Sequence, residues 1–264
     1  MIAKCSACKD GIAQPMQFSM AFQPIVDVST RRVYAYEALV RGPQGQAAGT
    51  VLSQVNDDNL YAFDQSCRVK ALTLASRLGL ADNGALLSIN FLPGAVYSPA
   101  ACIQLTLKTA RDLNFPLDRL IFEVTEGEKV KDANHLEGIA SEYNKHGFKI
   151  AIDDFGAGFA NLNLLADLSA DIVKVDMALT RNLHLRKKAR AIVRSLVQLC
   201  QTLDITIVAE GVETADEYSA LLDCGIHRMQ GYLLARPQFE ALPVFTLPGD
   251  PVVAVPIFSL FQPS

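Results

Sequence analysis

The chain has 264 residues, half of them hydrophobic and a fifth charged, which is enough apolar side chain for a large core and excludes a wholly disordered chain. Its formal net charge of −4 argues against a broad basic surface for duplex nucleic acid, yet leaves a small phosphorylated ligand open, because metal ions reverse the local sign of a site. No run of about 18 to 20 uncharged apolar residues occurs, so neither a spanning helix nor membrane insertion is expected, and a cytoplasmic protein is the expectation.

Residues 1–17 read as an N-terminal segment. Met1 to Gly11 carries Lys4, Lys9 and Asp10 and lacks an apolar stretch of signal-peptide length. Cys5 and Cys8 form a lone C-x-x-C; a structural zinc site needs two further ligands at similar spacing, so a solvated segment is expected. Cys67, Cys102, Cys200 and Cys224 sit inside apolar runs and read as small buried hydrophobes.

The first two strand patterns, Met20–Val28 and Val33–Val40, are joined only by Ser29 to Arg32. That linker is too short for a helical crossover, so the pair predicts a hairpin with one antiparallel strand. Asp57 then stands where it can cap a helix with apolar positions Phe63, Cys67, Ala71 and Leu74. A strand follows at Ala85–Phe91, and Ser98-Pro99 places proline where a first helical turn tolerates it. After a strand at Arg119–Val124, the run from Asp132 to His146 predicts a helix stopped at Gly147. Strands at Lys149–Asp153 and Ile172–Val175 precede a helix over Lys187 to Leu203, with apolar spacing at Ile192, Leu196, Leu199 and Leu203. Next come a strand at Thr206–Ala209, a capping box of Thr214 and Glu217, a helix stop at Gly225, and a strand at Arg228–Leu234. Alternating β and α order with eight strands predicts a TIM-like (β/α)8 barrel with one antiparallel strand, over residues 18–242. Beyond Pro237 the chain turns rich in proline and apolar residues (Pro243, Pro248, Pro251, Pro256, Phe258, Phe261). Residues 243–264 are expected to be an irregular tail lying on the barrel or on a partner subunit.

Polar residues fall at strand ends. Glu37, Asn90, Glu123, Asp153 with Asp154, Lys174 with Asp176 beyond it, Glu210 and Gln230 each follow a short apolar run. In a barrel these ends converge on one mouth, where catalytic groups collect. A single aspartate after a strand is usually a cap or turn residue, but seven such ends in one chain are poorly explained as independent turns. Asp154-Phe155-Gly156 matches a kinase string, but the chain lacks the H-R-D and G-x-G-x-x-G loops. The stretch from Gly156 to Gly158 has no Walker lysine either. His135, His146, His184 and His227 form no ligand spacing.

Glu37, Glu123, Asp153, Asp154 and Glu210 in one mouth would repel one another, and some would protonate. Two divalent cations leave one negative charge uncompensated, which Lys174 cancels. Carboxylates with an asparagine carbonyl suit Mg2+ or Mn2+, and a carboxylate shared by both ions gives the two-metal arrangement of phosphoester hydrolysis.

With Phe22-Gln23-Pro24-Ile25, Glu37-Ala38-Leu39-Val40-Arg41, Ile89-Asn90, Glu123-Val124-Thr125-Glu126 and Asp153-Asp154-Phe155-Gly156-Ala157-Gly158, the chain resembles the EAL-domain cyclic di-GMP phosphodiesterases. Lys174-Val175-Asp176, Ala209-Glu210-Gly211-Val212-Glu213 and Gln230-Gly231-Tyr232 continue the motif order, and the resemblance runs from about Phe18 to Pro237. It implies a barrel with one antiparallel strand, matching the hairpin reading. It also implies one metal held by Glu37, Asn90, Glu123 and Asp153, and a second held by Asp153 and Asp154 with Glu210 beside it. Lys174 would orient the attacking water, opening cyclic di-GMP to linear pGpG; Glu37 and Glu210 join it as the catalytic set. Gln23, Leu39, Arg41, Asp176 and Gln230 correspond to substrate positions, Arg41 suiting a phosphate through its forked donors. Glu126 matches the glutamate that steadies the loop after Asp154, through which family members form homodimers.

The loop departs from the family at Ala157-Gly158-Phe159-Ala160-Asn161, where many members carry a hydroxyl residue before the second glycine and Tyr-Ser-Ser after it. That departure touches dimer contacts and loop order, not a metal position. Members often carry a sensory domain, for which 264 residues are read as leaving no room. The alternative function is a catalytically silent receptor that binds cyclic di-GMP or a regulatory protein partner. A third is two-metal hydrolysis of another phosphodiester, against which Gln23, Arg41 and Gln230 argue.

Overall fold

The computed structural model describes residues 16–125, 133–158 and 162–250. Cys5, Cys8, Glu126, Asp132, the stretch Phe159 to Asn161 and the proline-rich residues from Pro251 onward lie outside these. In chain order the elements are β1 Ser19–Asp27, β2 Arg32–Arg41, α1 Ala48–Leu52, α2 Leu60–Arg77, α3 Leu80–Asn83, β3 Leu86–Asn90, α4 Pro99–Cys102, α5 Gln104–Asp112, β4 Leu120–Thr125 and α6 Ala133–Asn144. They continue with β5 Lys149–Phe155, α7 Leu162–Asp167, β6 Ile172–Val175, α8 Met177–Thr180, α9 Lys187–Thr202, β7 Thr206–Ala209, α10 Ala215–Asp223, β8 Arg228–Met229 and β9 Gln238–Phe239.

Strands β2 to β8 run parallel in sequence order, and β1 closes the cylinder by pairing antiparallel with both β2 and β8. The result is a TIM-like barrel of eight strands with one reversed, as the short Ser29–Arg32 connection predicts. Reversal follows from the turn: Asp27 accepts from the backbone N–H groups of Ser29 and Thr30 at 3.1 and 3.2 Å, folding the chain back at once.

Strand periodicity sorts side chains into layers. Outward residues such as Leu87, Ile89, Phe122, Ile150 and Ile152 pack under the helices in the main core. Inward, Ile25, Ala35, Ile121, Ala151, Ile172 and Val208 form a small apolar plug. Each plug residue lies two positions from a polar one on the same face: Gln23, Glu37, Glu123, Asp153, Lys174 and Glu210. The plug therefore supports a polar layer at the C-terminal ends of the parallel strands.

Several local expectations need correction. The long helix α2 is not capped by Asp57; it starts at Leu60, and its entry is shaped by Asn56 and Asn59, whose side chains accept from each other's backbone N–H at 3.3 and 2.8 Å. On α9 the buried face is Ala189, Val193, Leu196, Val197 and Cys200, while Ile192 and Leu203 are exposed. β8 stops at Met229, well short of Leu234, because Gly231 turns the chain against Val212: Val212 N–H donates to Gln230 O at 3.1 Å and Leu233 N–H to Val212 O at 3.0 Å. Beyond the barrel, β9 pairs with β1, Tyr36 Oη donates to Pro243 O at 3.1 Å, and Leu247 is buried, so the chain packs on the barrel to Asp250. The capping box predicted at Thr214 and Glu217 is present. Cys67, Cys102, Cys200 and Cys224 are all buried free thiols.

Candidate active site

Lys174, on β6, is fully buried at the centre of the mouth. Its Nζ lies 2.8 Å from Glu123 Oε2, 2.9 Å from Asp153 Oδ1, 2.9 Å from Glu210 Oε1 and 3.5 Å from Glu37 Oε2. Five different strands or strand ends thus deliver one ammonium and four carboxylates to one point. Burial alone would lower the lysine pKa, but Asp153, Glu123, Glu210 and Glu37 overcome it and hold the ammonium well above its usual range. Glu123 and Glu210 are raised too, which for an acid favours the neutral form. Burial, only partly offset by Lys174, raises Glu123 well above the ordinary value and pushes Glu210 up to about 8. One lysine is too little counter-charge for this many carboxylates.

Glu123 and Glu37 are held from the side. Ser88, two positions before Asn90 on the same face of β3, donates through Oγ to Glu123 Oε1. Asn90 Nδ2 donates to Glu37 Oε1 at 2.9 Å, and Gln230 Nε2 donates to Glu37 Oε2 at 2.8 Å. Gln230 also reaches Gln23 Oε1 at 3.3 Å, and Gln23 Nε2 in turn donates to Ala235 O at 3.1 Å. Glu210 follows β7, and its carbonyl accepts from Thr180 Oγ1 at 2.7 Å. Behind it the buried Glu217 carboxylate accepts from the N–H groups of Asn182, Glu213 and Thr214 at 2.9, 3.0 and 3.1 Å, tying two mouth loops together.

Two groups of acids come within 4.8 Å of mutual ligand reach: Glu37, Glu123 and Asp153, and Asp153, Asp154 and Glu210. Asp153 belongs to both. Its Oδ1 lies at ion-pair distance from Lys174 but finds no hydrogen-bond partner. Asp154 sits at φ +56, a left-handed conformation that suits an aspartate in a sharp turn, so two consecutive acids serve one mouth. The donor set is all oxygen, buried or half-buried, and short of positive charge. It fits hard divalent cations.

The other expected site residues divide. Gln23, Glu37, Asp154, Asp176, Glu210 and Gln230 line one pocket of about 270 Å³, with Tyr232 at its rim. Asp176 also caps α8, accepting from Ala178 N–H at 2.7 Å. Leu39 and Arg41 instead line a neighbouring, more apolar pocket that touches Asn90, and Arg41 donates to Val40 O at 2.7 Å. Ser88, Thr180 and Glu217 were not singled out from sequence as site residues. Ser88 was detectable there, since the period of two places it directly below Asn90.

An eight-stranded barrel with one reversed strand and a lysine-centred acidic mouth defines a TIM-like barrel with a candidate metal centre. The family model of the EAL domain matches residues 8–237, and the chain belongs to the EAL-domain family. It is 31% identical over 228 residues to the Blue light- and temperature-regulated antirepressor BluF of Escherichia coli (strain K12), covering 86% of this chain and 56% of that protein. With the Cyclic di-GMP phosphodiesterase PA2567 of Pseudomonas aeruginosa it shares 29% identity over 234 residues, covering 83% of this chain and 38% of that one. The chain therefore spans about half, or less, of the length of these relatives. Among solved structures, a standalone versatile EAL protein from Vibrio cholerae O395 in its c-di-GMP bound form is 47% identical with a TM-score of 0.84, over 89% of this chain and 98% of that one. The manganese/cy-diGMP complex of Klebsiella pneumoniae BlrP1 at pH 9.0 is 35% identical with a TM-score of 0.80, over 86% and 57% of the respective chains.

Proposed function

We propose that this chain hydrolyses cyclic di-GMP to linear pGpG with two divalent cations, Mg2+ or Mn2+. The observation that carries the reading is Asp153, shared by two carboxylate groups around one buried lysine. Glu37, Asn90, Glu123 and Asp153 would hold one cation, and Asp153, Asp154 and Glu210 the other. Because Asn90 commits its amide nitrogen to Glu37, its carbonyl oxygen would be the atom offered to the cation. When bound, the cations supply Lewis acidity that activates water and neutralises charge on the phosphoryl oxygens.

The chain's own groups do the rest. Lys174, whose Nζ faces Glu123, Asp153 and Glu210 at 2.8–2.9 Å, would orient the water for in-line attack. Gln23, Gln230 and Asp176 border the pocket in which the dinucleotide lies, with Leu39 and Arg41 beside it. Relatives named as cyclic di-GMP phosphodiesterases and neighbours solved with c-di-GMP or manganese support this assignment. A homodimer through the loop after Asp154 belongs to the same reading.

Measuring pGpG release from purified protein tests it. Turnover requires added Mn2+ or Mg2+, and Glu37→Ala abolishes it by removing a ligand. Equal turnover in wild type and Glu37→Ala contradicts the reading. A second reading, a silent receptor acting through a protein partner, is favoured only by the E. coli relative named as an antirepressor. Tight cyclic di-GMP binding without any turnover in Mn2+ would select it.

A further inference from the structure

Among the described residues Arg68 is the largest fully buried side chain, at 0% exposure. On α2 it pairs with Asp64 one turn earlier, Nη2 to Oδ2 at 2.8 Å, and donates through Nη1 to Tyr143 Oη of α6 at 2.6 Å. Its guanidinium lies 5.5 Å from the ring centre of Phe91 and 5.2 Å from that of Phe122. Those two residues are the direct neighbours of Asn90 and Glu123. The partner acid is also engaged: Asp64 Oδ1 accepts the N–H of Leu92 at 3.0 Å, two residues past Asn90. Phe91 N–H in turn donates to Glu123 O at 3.0 Å.

A buried ion pair is a poor source of stability, since apolar residues of the same shape often serve as well or better. Its retention here calls for another reason, and its contacts supply one. We infer that the Asp64–Arg68 pair is a positioning device that fixes the ends of β3 and β4, and so sets Asn90 and Glu123 at cation-binding distance. The inference rests on the metal-dependent reading above. Strand side chains alternate in direction, so clamping Phe91 and Phe122 outside the barrel fixes the inward aim of Asn90 and Glu123. The planar guanidinium does this through its flat faces and its fork together, which a lysine ammonium cannot reproduce.

The test uses substrate-free full chain titrated with Mn2+ by calorimetry, beside thermal melts and turnover. In Asp64→Leu/Arg68→Met the space stays filled and the fold is kept, while the Leu92 N–H loses its acceptor. The Mn2+ Kd weakens about tenfold or more, as for other losses of ligand-supporting groups, and excess Mn2+ restores most of the turnover. Arg68→Lys keeps the charge pair but loses the flat stacking, and shows a smaller loss in the same direction; it decides alone if the double variant does not fold. Unchanged Mn2+ affinity in a folded variant overturns the inference while leaving the functional reading standing. So does a loss of affinity matched by the fraction unfolded, or turnover that excess Mn2+ does not repair. Wild-type protein that takes up no Mn2+ overturns both.

Discussion

Lys174 Nζ and Asp153 Oδ1 stand 2.9 Å apart, and that contact lies where the two acid groups share a member. The lysine thus neutralises the same carboxylate that would bridge two cations. Chemistry and folding place different demands on this one ammonium, and they separate on mutation.

Replacing Lys174 with Met leaves the buried carboxylates without their central counter-charge. Without metal, breaking a buried pair of this kind costs about 3–5 kcal/mol, read as a lower melting temperature. Added Mn2+ recovers much of that loss, because the cations take over the neutralisation. Hydrolysis at saturating Mn2+ nonetheless falls about 10²- to 10⁴-fold, the usual range for a positioned polar group at the reacting centre. A variant that melts like wild type without metal and turns over normally with it contradicts the role assigned to Lys174.

Asp154 serves only one of the two acid groups. Asp154→Asn therefore reduces Mn2+ stoichiometry from two to one under calorimetry, weakening the second site by more than the roughly tenfold typical of an outer partner's loss. The site formed by Glu37, Glu123 and Asp153 keeps its affinity. Loss of both sites together would mean that the two are not separable as described.

Glu217 provides a pH handle remote from substrate. Burial alone would raise its pKa, but the backbone N–H groups of Asn182, Glu213 and Thr214, with Arg181 adding to them, outweigh burial and hold it below the ordinary value. A depressed folded-state pKa contributes stability that is complete above the unfolded value of about 4.3 and drains away as pH falls through the folded one. Denaturant melts should find Glu217→Gln about 2 kcal/mol less stable than wild type at pH 7. The gap narrows only below about pH 4. A gap that persists unchanged to pH 3 rules out the ionised carboxylate as its source.

A Cβ on Gly231 would meet Val212 O at 2.1 Å and Val212 N at 2.3 Å. Both are backbone atoms, so no side-chain rotation relieves the contact. Gly231→Ala is expected to cost about 2–3 kcal/mol or more, lowering the melting temperature by about 5–10 °C. It also displaces Gln230, and with it the hydrogen bond that holds Glu37. A variant melting within a degree of wild type would mean the turn yields readily.

Much of the barrel was legible because strands of a closed cylinder alternate an inward plug with an outward core. The residue after each apolar run is then forced to the rim, which is why Glu37, Asn90, Glu123, Asp153, Lys174 and Glu210 converge. What sequence could not supply depended on contacts between distant segments. Leu233 and Leu234 read as strand because nothing local announces that Gly231 must turn against Val212. Ile192 fits the helical period as well as Val193 does, and only packing against β7 and the loop before α9 decides between them. Gln23 and Gln230 were read as facing substrate, whereas both also belong to a hydrogen-bond chain ending on Glu37. Asp64 and Arg68 sit in a helix pattern where a charged pair ordinarily signals a solvated face.

The two-residue strand β8 shares only two paired positions with β7 and two with β1, while β6 and β7 share four. By strand pairing β8 is thus the least extensively laddered stave of the cylinder, and it leads into Gln230 and Tyr232. Opening at that joint is expected to widen the pocket beside Gln230 and Tyr232, while Glu123, Asp153 and Lys174 stand on β4, β5 and β6, none of which pairs with β8. Amide exchange would report it as early loss of protection at Met229 and Gln230, with β4 to β6 still locked. Because Gln230 also holds Glu37, any loosening of that stave is felt by the nearest acid of the mouth.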